Sequence, residues 1–141
     1  MDDKIEDSVA KFERIRKAHQ SEVAEDYVEM IAELIEKTGE ARAVDLAMRF
    51  GVTAPTVNAT IQRLQKDGLV TARPYRSIFL TEQGQSLAGR CKERHEIVRN
   101  FLIAIGVDAQ TAEQDAEGVE HHVSPQTLTR FAEFVAANSS P

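Results

Sequence analysis

Apolar residues recur along this chain at two different periods, and the places where the period changes divide it into elements. Val23, Tyr27, Met30, Ile31, Leu34 and Ile35 repeat every three or four residues, the spacing of one helix face, and Gly39 is placed to end that helix. Before it, Ile5, Val9, Phe12 and Ile15 make a thinner seam that predicts a charged helix over 5–20, too weakly apolar to stand without docking on something. Val44, Leu46, Ala47 and Phe50 then predict a short amphipathic helix and Gly51-Val52-Thr53 a tight turn. Thr53 is suited to cap a further helix, with Pro55 in its first turn, running through Val57, Ile61 and Leu64 to a stop at Gly68. From there the pattern turns strand-like: 69–73 out, Pro74-Tyr75-Arg76 as a turn, 77–80 back. Two helices joined by a glycine-containing turn and followed by a hairpin make a winged helix-turn-helix.

The remaining third returns to helical spacing. Thr81 can cap a long helix to about Ile105 with Leu87, Cys91, Val98, Phe101 and Leu102 on its apolar faces. Asp108 can cap the next, and Ser124-Pro125 opens a last helix with Leu128, Phe131, Phe134 and Val135 inward. The expected fold is therefore mostly α: a helical extension over 1–20, a winged helix-turn-helix with a small β-hairpin wing over 21–80, and a helical domain over 81–141.

Composition narrows the classes. With 141 residues and 42% apolar content, the chain can bury a sizeable core. Its one cysteine, Cys91, excludes an intramolecular disulfide and suits a reducing cytosol. No apolar run approaches the roughly 20 residues of a membrane span, and the acidic start is unlike a secretory signal, so a cytoplasmic protein without a membrane partner is expected. No glycine-rich phosphate loop appears, and His95-Glu96 fails as a zinc-protease motif because Arg99 stands where its second histidine belongs.

The net charge of −6 speaks against a nucleic-acid partner until its distribution is considered. Residues 41–81 hold six bases and two acids, a net +4, whereas residues 100–141 hold one base and six acids, a net −5. The basic part coincides with the winged helix. There Thr53, Ala54, Pro55, Thr56, Asn58, Ala59, Gln62 and Arg63 offer small and hydrogen-bonding side chains suited to base edges, and Arg73 and Arg76 on the wing are suited to phosphates.

The acidic part carries different chemistry. If Asp115–His122 is helical, Glu117, Glu120 and His121 fall at i, i+3 and i+4 and crowd one surface with oxygen and nitrogen donors fit for a divalent cation. An ordinary solvated acidic face is the competing explanation, and it applies equally to Glu22, Asp26, Glu29 and Glu33 on the first core helix. His122 points about 100° further round and is at most an outer neighbour.

Several strings together resemble the DtxR family of metal-dependent repressors, in its manganese-responsive branch: Asp26-Tyr27-Val28-Glu29, Thr53-Ala54-Pro55-Thr56-Val57, Arg94-His95-Glu96, 100–107, and above all Asp115–Ser124. The resemblance implies a metal site made of Asp26, Glu29, His95, Glu117, Glu120 and His121, a helical metal-binding and dimerisation domain, and a homodimer that binds a double-stranded DNA operator. The iron-responsive branch has methionine where Asp26 stands and cysteine where Glu117 stands, so the implied ion is Mn²⁺, with Fe²⁺ as the alternative. Four carboxylates and two neutral imidazoles would be neutralised by two divalent ions, so up to two per subunit are expected. The implied role is repression of manganese-uptake genes, with no catalysis and no organic substrate. The rivals are an Fe²⁺ sensor of the same fold, a di-metal carboxylate enzyme and a metal-independent winged-helix regulator. The enzyme is disfavoured because a wing interrupts the helices and Glu117-x-x-Glu120-His121 occurs once.

Overall fold

The first helix takes in both of the stretches expected near the N-terminus: α1 runs unbroken over Asp3–Thr38. Neither glycine nor proline interrupts residues 3–38, so nothing in the local chemistry ends a helix at residue 20. There follow α2 (Ala43–Phe50), α3 (Ala54–Lys66), β1 (Val70–Thr71), β2 (Phe79–Leu80), α4 (Glu82–Ala104), α5 (Ala109–Val119) and α6 (Pro125–Ala137). This computed structural model describes residues 2–74 and 76–139; Tyr75 of the expected turn and the final Ser140-Pro141 lie outside the described residues. The chain forms two units, Glu22–Arg90 and the combination of Met1–Ser21 with Cys91–Pro141.

The unit Glu22–Arg90 is a winged helix-turn-helix. Its core joins Tyr27, Ile31 and Leu34 of α1 with Leu46 of α2, Val57, Ile61 and Leu64 of α3, Val70 of β1, and Ala41 and Ile78. The Tyr27 ring stacks on Phe50 at 4.6 Å. Between α2 and α3, Gly51 adopts φ +66°, a left-handed conformation that a side chain disfavours, and its N–H closes α2 on the Ala47 carbonyl. Thr53 caps α3 by accepting from the Thr56 N–H at 3.3 Å.

The wing is shorter than the alternation predicts. Among the described residues, only Val70 with Leu80 and Thr71 with Phe79 pair in register between the two strands. Two groups that would extend the ladder are engaged elsewhere: the Ala72 carbonyl accepts from Gln65 Nε2 at 2.9 Å, and the Ile78 N–H donates to the Ala41 carbonyl at 2.7 Å. Thr81 then caps α4, accepting from the Gly84 N–H at 3.1 Å while its hydroxyl donates to the Gly68 carbonyl at 2.6 Å.

In the other unit, Val98 and Cys91 of α4 and Ala112 and Ala116 of α5 are buried. Phe101 stacks on Phe131 of α6 at 3.9 Å and meets Phe134 edge-on at 5.5 Å. Phe134, expected inward, is nevertheless 40% exposed. Along the N-terminal seam Ile5, Val9, Phe12 and Ile15 are exposed in the single chain.

Candidate metal centre and DNA-facing surface

α5 is short because its end is built by Glu120. The helix stops at Val119, Glu120 keeps helical angles as the C-cap, and its N–H reaches the Ala116 carbonyl. The next N–H groups, of His121 and His122, bond three residues back to Gly118 and Val119, a tightened final turn. The i, i+3, i+4 arrangement thus starts on α5 and finishes in the turn after it, with Glu117 exposed and Glu120 buried.

His95, from the middle of α4, meets this turn. Its Nδ1 lies 2.6 Å from Glu120 Oε2, and Glu120 Oε1 lies 3.4 Å from His121 Nε2. Both the Glu120 and His121 side chains are almost wholly buried, at 4% and 1% exposure. A buried carboxylate between two imidazoles is a set of oxygen and nitrogen donors, and these fit a borderline or hard divalent cation. The Cys91 thiol, a softer donor one turn before His95 on α4, accepts from Arg94 Nη2 at 3.4 Å.

The electrostatics follow from burial. Desolvation pushes the Glu120 carboxyl above its usual range, and the charges of His95, His121 and Arg94 with the His95 hydrogen bond pull it only part of the way back. For His95 burial disfavours the imidazolium, but hydrogen bonds and charges from Glu113 and Glu120 outweigh it and hold its pKa above the ordinary value.

One member of this cluster was not singled out from the sequence. Glu113 Oε1 lies 2.7 Å from His95 Nε2. The signal was present: Glu113 precedes Glu120 by seven residues, two turns along the same helix face. Of the other predicted ligands, Asp26 is exposed and Glu29 half-buried on α1, in the unit that carries the winged helix. Their three-residue spacing puts them on neighbouring positions of that helix.

The predicted DNA-facing side chains, Thr53, Ala54, Pro55, Thr56, Asn58, Gln62, Arg63, Arg73 and Arg76, are all exposed. Asn58 and Gln62 of α3 and Arg73 and Arg76 of the wing line one groove. Arg42 lines it too and was missed as a candidate, although it directly precedes α2. The Thr53 hydroxyl is engaged in capping and in a 3.0 Å bond to the Thr56 hydroxyl.

Comparison with known proteins places these features in a family. Residues 19–78 match the iron dependent repressor N-terminal DNA binding domain, and residues 81–139 match the iron dependent repressor metal binding and dimerisation domain. The chain is 48% identical over 130 residues to an Escherichia coli transcriptional regulator MntR, covering 92% of this chain and 84% of that protein. It is 39% identical over 111 residues to the HTH-type transcriptional regulator MntR of Bacillus subtilis, covering 79% of this chain and 78% of that one. Among solved structures, a manganese-dependent transcriptional repressor in complex with manganese superposes with a TM-score of 0.72 at 29% identity, covering 80% of this chain. The chain spans about half (52%) of the length of that structure. With both family domains present in order over most of its length, this chain belongs to the iron-dependent repressor family, the DtxR family.

Proposed function

We propose that this protein is a Mn²⁺-activated repressor that binds operator DNA as a homodimer and controls manganese uptake. The observation that carries the reading is the buried Glu120 carboxylate set between His95 and His121 in a chain whose other unit is a winged helix. A carboxylate so desolvated needs positive charge to be stable in its ionised form. Asp26, Glu29, His95, Glu117, Glu120 and His121 would hold the ion, whose chemistry when bound is to neutralise these carboxylates. The all-oxygen-and-nitrogen set suits Mn²⁺ over a thiophilic metal, and Fe²⁺ is the nearest competitor for it. The likeness to MntR regulators and to a manganese-bound repressor supports the same choice.

Because Asp26 and Glu29 belong to one unit and the other four to the second, ligation by all six would couple the winged helix to the helical domain. In a dimer that coupling favours the state in which two α3 helices reach half-sites roughly 34–36 Å apart. The ion shifts affinity only by its preference for that state. Asn58 and Gln62 would read base edges while Arg73 and Arg76 hold phosphates. Mobility-shift titration of a manganese-uptake promoter in EDTA and in saturating Mn²⁺ tests the reading: equal affinity in the two conditions overturns it. A parallel titration with Fe²⁺ separates the two ions.

A further inference from the structure

Resting on the metal reading above, we propose that Glu113 is a positioning residue for His95: it holds the Nε2–H, so that Nδ1 is the nitrogen delivered to the cation beside Glu120. An imidazole that ligates a metal has one lone pair to give and one N–H to place, and whichever nitrogen finds an acceptor keeps the proton. In this chain both nitrogens face carboxylates, Nε2 toward Glu113 at 2.7 Å and Nδ1 toward Glu120 at 2.6 Å.

Burial decides which contact a cation replaces. The Glu120 side chain is 4% exposed and the Glu113 side chain 48%. A cation gains most by neutralising the desolvated carboxylate, whereas Glu113, wetted by solvent, loses little by keeping its hydrogen bond. Arg99 completes the arrangement: its Nη1 lies 3.9 Å from Glu113 Oε2, the oxygen not used on His95. The result is a relay of Arg99, Glu113 and His95, a carboxylate–histidine–metal arrangement in which the carboxylate fixes tautomer and ring orientation. It is built within one unit from α4 and α5.

The test uses the full chain. Mn²⁺ affinity is measured by calorimetry for wild type, H95A, E113A and E113Q, and NMR of nitrogen-labelled histidine with an NMR-active cadmium isotope reports which His95 nitrogen is bound. E113A is expected to weaken Mn²⁺ binding by roughly 10–100-fold, the usual cost of losing an outer partner, and to spread the metal coupling to Nε2. E113Q, whose amide oxygen can still accept the Nε2–H, is expected to recover most of the affinity with coupling at Nδ1. Wild-type affinity and Nδ1 coupling in E113A overturn the proposal, as does E113Q failing as badly as E113A, which would make the effect one of charge alone. Wild-type affinity in H95A would instead sink the placement of the metal at His95, a separate failure.

Discussion

A methyl group on Gly84 would collide with the backbone carbonyl of Leu69. Gly84 is buried in the first turn of α4, whose N–H is held by the Thr81 cap, and Leu69 lies just before β1. The obstacle is main chain, which cannot swing aside as a side chain would. Gly84→Ala is therefore expected to destabilise the protein by about 1–3 kcal/mol, as overpacking does. Urea denaturation checks it, and an unchanged midpoint would mean the helix start can slide without cost.

Replacing Glu120 by Gln keeps its size and removes its charge. The expected result is loss of Mn²⁺ affinity larger than the roughly 10–100-fold of an outer-partner variant. Metal-free stability should hold or rise at alkaline pH, where His95 is neutral and the change only removes a desolvated carboxylate. Calorimetry and thermal melts in EDTA measure the two effects on one preparation. Full metal binding by E120Q would remove Glu120 from the site.

The pH dependence of the metal-free protein has a definite sign. His95 has a folded-state pKa above its ordinary 6.5, so its contribution to stability is complete below that value and is lost as pH rises through the folded one. Glu120, raised from 4.5 by burial, acts in the same sense. Asp108 acts oppositely: the Thr111 hydrogen bonds lower it below 3.8, so its contribution disappears only in stronger acid. Stability in EDTA should thus fall from about pH 6.5 upward, and His95→Asn should flatten the slope. A stability that rises across that range in the wild type contradicts the assignment.

On the DNA side, phosphate and base contacts separate by their salt behaviour. Arg73→Ala or Arg76→Ala should weaken binding to all sequences alike and reduce the slope of log affinity against log salt by about 1. Asn58→Ala or Gln62→Ala should cost about 1–3 kcal/mol on the operator while leaving binding to unrelated DNA unchanged. Titrations at two or three salt concentrations with operator and scrambled duplexes distinguish these; a salt-slope change in Gln62→Ala would move that residue to the backbone-contact class.

The helices could be read from the chain because their signals are local. Apolar spacing, Gly51, and caps at Thr53, Asp108 and Ser124 each act over a reach of about four residues. What escaped the reading depends on partners distant in sequence. The length of the wing was overestimated because the bonds that stop it come from Gln65 and Ala41, outside the alternating stretch. Glu113 was passed over because its role depends on His95, 18 residues away. Glu120 stood out by helical spacing, yet spacing alone cannot tell a buried carboxylate from a solvated one. Its neighbour Glu117, alike in sequence, is exposed.

The two bonds that shorten the wing also limit what operator binding must immobilise. A hairpin with two paired residues per strand would be marginal by itself, but one leg is clamped to α3 by Gln65 and the other to Ala41. Ser77, on the second leg, donates to Glu40 at 2.9 Å, and the same Glu40 lies 3.1 Å from Arg42. The entropy of fixing both legs is spent when the chain folds, not when it meets DNA. Arg73 and Arg76 are carried on that preorganised base, the Arg76 N–H bonding the Arg73 carbonyl at 3.1 Å, so the two guanidinium groups need little further ordering to meet phosphates.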